Sequence, residues 1–527
     1  MPDASTGASP QPQWRPKYNP WLIALTVTLA SFMEVLDTSI ANVALPHIAG
    51  NLSASEDEAT WVLTSYLVSN AIILPLSGWF SFLIGRRNFY MVCVAVFTLS
   101  SFACGIAPTL GLLVFFRVVQ GIGGGGLQPS EQAILADTFT PKQRGMAFAI
   151  YGIAVVTAPA IGPTLGGWIT DNFNWRWIFF INIPVGIVSL FLTSFMVEDP
   201  PYFVEERKRR QGRLRVDYWG IIFIAIGLGF LQIVLDKGER DDWFASNFIR
   251  TCTFLSIAGL ILAVYWELKE RDPVVDLSLL KERNFAIAGF LMFMVGVVLL
   301  GSTVLIPQYL QLVMGYSATQ AGMALSPGGL LVMAMLPFVG LALGKIEARW
   351  IIMAGLATTA LALYHMTTFD AQMDFRHAVM ARCFQAAGLA MLFVPINTAA
   401  YAFVPRNKNN AASGLVNLAR NIGGSVGISL VTTMLARRAQ FHQARLGENA
   451  TLLNPTFANH LSSATRAIGA TPGSNTPYAL LMQQVLQQAN TLSYVDCFYV
   501  LSIAFGVMVP LVLLMKKTKP GRPAAAH

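Results

Sequence analysis

Arg117-Val-Val-Gln-Gly-Ile-Gly123 recurs about 265 residues later as Arg382-Cys-Phe-Gln-Ala-Ala-Gly388, and the two copies are followed by Pro129 and Pro395. The match continues into the next loop, where Phe139-Thr-Pro-Lys142 answers to Phe403-Val-Pro-Arg406. Gly78 to Arg87 has a fainter counterpart in Gly340 to Arg349. Three matches at one offset make the chain a tandem repeat, and the apolar runs around them show what is repeated.

Hydrophobic residues make up 54% of the 527 and charged residues 12%, against about 25% charged in a soluble domain. So few charges cannot coat a soluble protein of this size. From Phe89 to Phe116 there is no charged side chain, a stretch longer than the ~20 residues that cross about 30 Å of hydrocarbon. Apolar windows predict an all-α polytopic membrane protein with fourteen transmembrane helices. They fall near 21–45, 59–83, 89–107, 110–136, 145–170, 177–197, 216–236, 248–267, 285–307, 319–341, 348–367, 377–400, 411–435 and 494–516. Runs this long and continuous suit helices, which satisfy their own backbone, rather than barrel strands of about ten residues.

Spans 1–6 and 9–14 are then two parallel six-helix repeats, with spans 7 and 8 inserted between them. The expected units are a tail 1–20, a bundle 21–197, a linker with two inserted helices 198–284, a bundle 285–515 containing an external loop 436–493, and a tail 516–527. Lys and Arg number 24 on the side that holds both termini and nine on the other, which places both termini in the cytoplasm. The net charge of +8 belongs to these short loops, so topology rather than nucleic acid accounts for it. Residues 1–20 lack the apolar core and cleavage site of a signal peptide.

Span 1 carries Glu34 and Asp37, three residues apart and so on one helix face. A carboxylate in hydrocarbon is costly; it faces a wet cavity, finds a partner or holds a proton. Each is therefore a candidate for proton coupling, or alternatively an anchor to a neighbouring helix. Span 9 has no acidic residue, so a proton site is expected in the first half only. Arg117 needs an acidic or carbonyl partner at its depth, and Glu34 and Asp37 are the candidates; Arg382 at the equivalent place argues that part of its role is architectural. Glu131, just past Pro129, is a further proton or cation candidate, or else a solvated or capping residue. Asn42, Gln120 and Gln128 are the expected polar cavity or motif residues. Span 5 contains Pro159, Gly162, Pro163, Gly166 and Gly167, where the prolines bend the helix and the glycines allow close packing.

Enzyme motifs do not hold up. Gly121 to Gly126 is followed by Leu127-Gln128 rather than the Lys-Ser/Thr of a phosphate loop. Gly423-Gly-Ser-Val-Gly427 lies within an apolar span rather than after a strand. The five cysteines form no CxxC pair and suggest neither metal site nor disulfide scaffold. No enzymatic activity, cofactor or metal is expected, which leaves an ion gradient as the energy source.

Together these residues resemble the fourteen-spanner drug:proton antiporters of the major facilitator superfamily, most closely the EmrB-type multidrug exporters of Gram-negative bacteria. The resemblance rests on Leu36-Asp-Thr-Ser-Ile-Ala-Asn-Val-Ala-Leu-Pro46, Arg117-Val-Val-Gln-Gly121, Gly162-Pro-Thr-Leu-Gly-Gly167, Trp175-Arg-Trp-Ile-Phe-Phe-Ile-Asn-Ile-Pro184 and Asn417-Leu-Ala-Arg-Asn-Ile-Gly-Gly424. It implies a major facilitator fold and an inner-membrane, proton-driven exporter of hydrophobic or amphipathic drugs. Asp37 would be the span 1 carboxylate, Arg117 the arginine implicated in proton transfer, and Pro159 to Gly167 the antiporter motif. It also implies a periplasmic adaptor of the EmrA type and an outer-membrane channel of the TolC type, with the polar, Gln-rich segment before span 14 as a docking surface. Two departures stand out. Phe82 occupies the place of the usual acidic residue in the loop after span 2, so a gating ion pair built on that residue is absent or rearranged. Ala158 opens the span 5 motif where Gly is usual. Export of an endogenous lipid, fatty acid or metabolite, and a non-transporting membrane receptor, are the alternative readings.

Overall fold

The computed structural model describes residues 16–517, apart from 141, 211–215, 271, 406–407, 449 and 469–473. Most of the two expected tails, and the basic residues Arg213, Arg215, Arg271 and Arg406, lie outside the described residues. All regular structure among the described residues is helical. The long helices, in chain order, are α1 (Pro20–Asn51), α2 (Trp61–Ile84), α3 (Arg86–Ile106), α4 (Leu110–Thr138), α5 (Arg144–Asn172), α6 (Trp177–Met196), α7 (Tyr218–Lys237) and α8 (Asn247–Lys269). They continue as α9 (Arg283–Val313), α10 (Ala318–Ala342), α11 (Ala348–Met366), α12 (Phe375–Ala400), α13 (Asn409–Gly447) and α14 (Thr476–Leu511).

Each expected span falls on one of these helices, but the count of fourteen membrane crossings is not reached on length and apolarity. Eleven helices are long and apolar enough among the described residues, and twelve if the bent α5 counts as one. The other two are α11, a 19-residue helix with Arg349 and His365 near its ends, and α13, which carries Asn417, Arg420 and Asn421 through its middle. Polar and charged residues lower apolarity without removing a helix from a bundle.

The segment expected as an external loop, 436–493, is largely helical: α13 runs on to Gly447, a short helix spans Pro455–Ala467, and α14 begins at Thr476. Backbone hydrogen bonding continues a helix past the end of its apolar run, and the two extensions hold each other through Asp496, bonded to Arg438 (2.5 Å) and His442 (2.8 Å).

Small residues set the helix crossings. A Cβ on Gly78 would come within 2.7 Å of the Ala411 Cα, one on Gly414 within 2.6 Å of the Leu74 carbonyl oxygen, and one on Gly145 within 2.8 Å of the Gly340 carbonyl oxygen. These contacts bring α2 against α13 and α5 against α10, joining the two bundles. Gly78, Gly145, Gly340 and Ala411 all sit near the helix ends on the terminus-bearing side, where the halves are therefore closed together. Toward the other side, the α1 face of Val35 and Thr38 passes from half-buried to exposed at Asn42 and Pro46. The inserted helices pack on each other through Gly227 and Gly259, and α7 docks on α2 through Asp236 and Thr64.

Candidate functional site

Asp37 and Arg117 form an ion pair of 2.6 Å, 2% and 0% exposed. Arg117 also donates to the Val62 carbonyl oxygen (2.9 Å) and to Gln120 Oε1 (2.8 Å), and its guanidinium stacks over Tyr66, 4.4 Å from the ring centre. Asp37 Oδ1 accepts from Gln120 Nε2 (3.1 Å) and from Asn182 Nδ2 (2.7 Å); Asn182 and Gln120 both reach Ser101 as well. Both carboxylate oxygens are hydrogen-bonded and a guanidinium is in contact, so Asp37 is fully enclosed by its partners. All these groups belong to the first bundle, so the cluster clamps α1, α2, α3, α4 and α6 together.

The second bundle shows what is architectural here. Residues 265 positions on from Asp37, Arg117 and Gln120 are Ser302, Arg382 and Gln385, and the contacts repeat: Arg382 donates to Gln385 (2.6 Å) and to Ser302 (3.5 Å). The Arg–Gln pair is common to both repeats. The carboxylate is particular to the first.

Glu34, one turn before Asp37, belongs to a different network. It accepts from Tyr66 Oη (2.9 Å), Asn70 Nδ2 (3.3 Å) and Gln128 Nε2 (2.5 Å). The Gln128 carbonyl oxygen in turn accepts from Tyr151 Oη (2.9 Å) and from the guanidinium of Arg420 on α13. Asn421 reaches Asn70 at 3.4 Å. Glu34 is thus the acid connected across the junction between the bundles, whereas Asp37 is enclosed within one of them.

Glu131 is fully buried, which removes the solvated reading. Thr28 Oγ1 donates to its Oε1 (2.6 Å), and among the described residues its Oε2 has no hydrogen-bond partner. Of the expected cavity residues, Gln120 and Gln128 are buried in these two networks, and Asn42 is exposed toward the end of α1.

In α5 the chain bends by 41° between Arg144–Pro159 and Ile161–Asn172. Pro159 cannot donate, and its carbonyl oxygen accepts from Ser39 (3.5 Å). A Cβ on Gly162 would come within 2.5 Å of Ser39 Cβ, and one on Gly166 within 3.0 Å of an Ile40 methyl, whereas Gly167 has nothing within 4 Å. The motif's glycines thus seat α5 on the acid-bearing helix α1, and Pro163 on the same helix is exposed. Gly162→Ala is expected to cost about 1–3 kcal/mol through overpacking, while Gly167→Ala changes the unfolding midpoint little. Equal shifts in thermal unfolding would contradict this packing.

After α2, where Phe82 stands in place of the usual acid, the basic residues still find acidic partners. Arg86 pairs with Asp137 at the end of α4, the two side chains 1% and 2% exposed, and the Arg87 amide donates to Asp199 after α6 (2.9 Å). Asp137 also accepts from Asn409 Nδ2 at the start of α13 (2.8 Å), which makes this a contact between halves. Nearby, Gln132 bonds Asn417, Tyr401 and Ser413 of the second half. Phe82 instead packs edge-on against Phe203.

Sequence reasoning assigned no site role to Tyr66, Asn70, Asn182, Tyr151, Asp137 or Arg420. A signal existed for Arg420, which with Arg117 and Arg382 is one of three arginines lying more than three residues from either end of an expected span. Partners such as Tyr66 and Asn182 become visible only when the helices are placed.

Comparison with known proteins agrees with this architecture. The Major Facilitator Superfamily model matches residues 27–428. The chain is 36% identical over 507 residues to the multidrug export protein EmrB of Escherichia coli K12, covering 96% of this chain and 97% of that one. It is 38% identical over 497 residues to the fatty acid resistance protein FarB of Neisseria gonorrhoeae, covering 94% and 96%. Among solved structures, the proton:xylose symporter XylE superposes with a TM-score of 0.62 over 96% of this chain and 97% of its own, at 15% identity, which speaks for the fold alone. On the two-bundle fold, the motif residues and these similarities, the chain belongs to the Major Facilitator Superfamily and, within it, to the EmrB-type multidrug exporters.

Proposed function

We propose that the protein exports hydrophobic or amphipathic small molecules from the cytoplasm or inner leaflet in exchange for protons, by alternating access, with Glu34 as the coupling acid. The observation that carries this reading is the chain Glu34–Gln128–Arg420, which joins a buried acid of one bundle to a buried cation of the other. Adding a proton to Glu34 removes the charge that Gln128 donates to, and with it the counter-charge nearest Arg420 in this network. The contact between halves then weakens, and a cationic substrate can compete for the same charge. Proton movement through 100 mV supplies about 2.3 kcal/mol, roughly fifty-fold in concentration. Asp37, already committed to Arg117, serves better as a fixed structural charge.

In this reading the protein sits in the bacterial inner membrane with both termini in the cytoplasm, as the Lys and Arg distribution supports, and uses neither cofactor nor enzymatic step. A periplasmic adaptor and an outer-membrane channel belong to the same proposal; the protruding ends of α13 and α14 offer the surface, with Leu453 94% exposed between them. FarB favours a second reading, fatty acid export by the same machinery.

The test is ethidium efflux from proteoliposomes under an imposed pH gradient. Glu34→Gln is expected to abolish gradient-driven flux while ethidium still binds. Undiminished flux would move the proton site to Glu131, and no flux with any cargo, fatty acids included, would remove the exporter reading.

A further inference from the structure

Aligned in register, the two repeats differ in one charged group. In the first bundle the Asp37 carboxylate accepts from both Arg117 and Gln120. In the second, the same arginine and glutamine are Arg382 and Gln385, and Ser302 stands at the position of Asp37. Ser302 does not replace the carboxylate: its hydroxyl donates to the Leu299 carbonyl oxygen (3.2 Å), and its oxygen lies 3.5 Å from Arg382 Nη1. Among the described residues no acidic side chain pairs with Arg382, whose side-chain partners are Gln385 and Ser302.

Two buried donors are left over. Gln385 is 0% exposed; its Oε1 accepts from Arg382 Nη1 (2.6 Å), and among the described residues its Nε2 has no acceptor. Arg382 Nε is buried and likewise lacks an acceptor, although the residue as a whole is half-buried and so can be reached. Buried donors are almost always hydrogen-bonded, and a guanidinium out of water demands a counter-charge. Both demands are met by an anion that accepts from Arg382 and Gln385 together. The surroundings narrow its kind. Gly328 on α10 gives the arginine its room, since a Cβ there would come within 3.0 Å of Arg382 Cγ. Leu299, Leu325 and Val379 stand three residues before Ser302, Gly328 and Arg382 and so share their helix faces; all three are half-buried. Convergent donors among apolar side chains suit a carboxylate on an apolar body, which gains contacts that a small hydrated anion does not.

The geometry points to a binding site in the second bundle for the carboxylate of an anionic amphiphile such as a long-chain fatty acid, held by Arg382 and Gln385 as Asp37 is held by Arg117 and Gln120. Its chain lies along Leu299, Leu325 and Val379. Arg382 is seven residues into α12, about 10 Å from the helix start, on the side away from the termini. The site is separate from Glu34, whose network joins α1, α2 and α4 to α13. It deepens the fatty acid reading by naming where such cargo binds, and as a route for cargo it rests on that reading. The repeat thereby acquires two uses: one Arg–Gln pair is committed to the chain's own acid, and the other is free to take an acid from outside.

The probe is palmitic acid bearing a diazirine, photolysed with the full-length protein in proteoliposomes, the labelled peptides being read by mass spectrometry. Label is expected on α9, α10 or α12 around Ser302, Gly328 and Arg382, and oleate should displace it. Arg382→Gln should weaken this labelling about tenfold or more, as loss of a charge-assisted hydrogen bond implies. Ser302→Asp places a carboxylate of the chain's own where the first bundle has one; it should abolish the label without lowering the unfolding midpoint, which separates a filled site from a folding defect. Labelling unchanged in both variants would overturn the site, and so would a lower midpoint in Ser302→Asp. Displacement by methyl oleate as effective as by oleate would show that the carboxylate is not what binds, and equal displacement by sulfate would make this a site for small anions; either result overturns the proposal. Absence of this label with ethidium efflux intact removes this inference alone. Labelling as expected with no efflux of any cargo removes the export reading alone.

Discussion

Arg117→Ala is expected to cost about 3–5 kcal/mol, the range for removing one partner of a buried ion pair, and to leave little folded protein in detergent. Asp37 would keep its hydrogen bonds from Gln120 and Asn182 but lose the guanidinium at 2.6 Å, in a site with almost no exposure. Asp37→Asn should be comparably damaging because it strands the guanidinium. The double variant Asp37→Asn/Arg117→Gln removes both charges and keeps amides able to bond, so it should recover a large part of the loss. Arg382→Ala is the internal control: its partners are Gln385 and Ser302, and no carboxylate is stranded, so about 1 kcal/mol per lost hydrogen bond is expected. Thermal unfolding of the four variants decides the matter. If Arg117→Ala and Arg382→Ala cost the same, or the double variant is as poor as the singles, the Asp37–Arg117 charges are not coupled as described.

Asp137→Asn should shift the protein toward opening at the terminus-bearing end. In the closed arrangement Arg86 is 1% exposed, pairs with Asp137, and lies with its guanidinium 4.6 Å from the Phe203 ring centre. With the carboxylate gone, that buried charge loses its counter-ion, whereas an opened interface would admit water to it. Loss of a buried partner costs about 3–5 kcal/mol, which even at half value moves a two-state population by more than tenfold. Spin labels at Leu83 near the end of α2 and at Pro405 just before α13, both exposed, would read this as a longer distance distribution. Asn409→Ala, which removes only the neutral bond to Asp137, should lengthen it less. An unchanged distribution in Asp137→Asn would show that the glycine contacts between α2 and α13, rather than the charge, keep this end closed.

Much of the architecture was legible because membrane segments announce themselves by composition and a repeat by its own letters. The Arg-x-x-Gln copies predicted two parallel bundles, and the structure repeats their contacts at Arg117–Gln120 and Arg382–Gln385. Helix ends were less legible. α13 and α14 run well past their apolar cores, since helical hydrogen bonding is indifferent to side-chain polarity once tertiary contacts such as Asp496 with Arg438 and His442 support it.

The acids divide along the same line. That Glu34 and Asp37 share a helix face, and that the second half lacks such residues, could be read from spacing alone. Their different environments could not: one turn of helix separates an acid enclosed by Arg117, Gln120 and Asn182 from one that reaches Arg420 through Gln128. The ion pair at Arg86 has the same origin. Phe82 announced that the usual acid was missing, but only the packing of the end of α4 against the start of α3 brings Asp137 to Arg86.

By itself, then, the sequence determined the membrane-spanning class, the twofold repeat and which side chains had to find polar partners. Apolarity and periodicity are local properties, and a charge inside an apolar run demands compensation wherever the helix is placed. The tertiary structure alone decided which partner each charge obtained and where the halves touch. Those choices depend on contacts between residues hundreds of positions apart, set by close approaches at Gly78, Gly145 and Gly414 that no local pattern encodes.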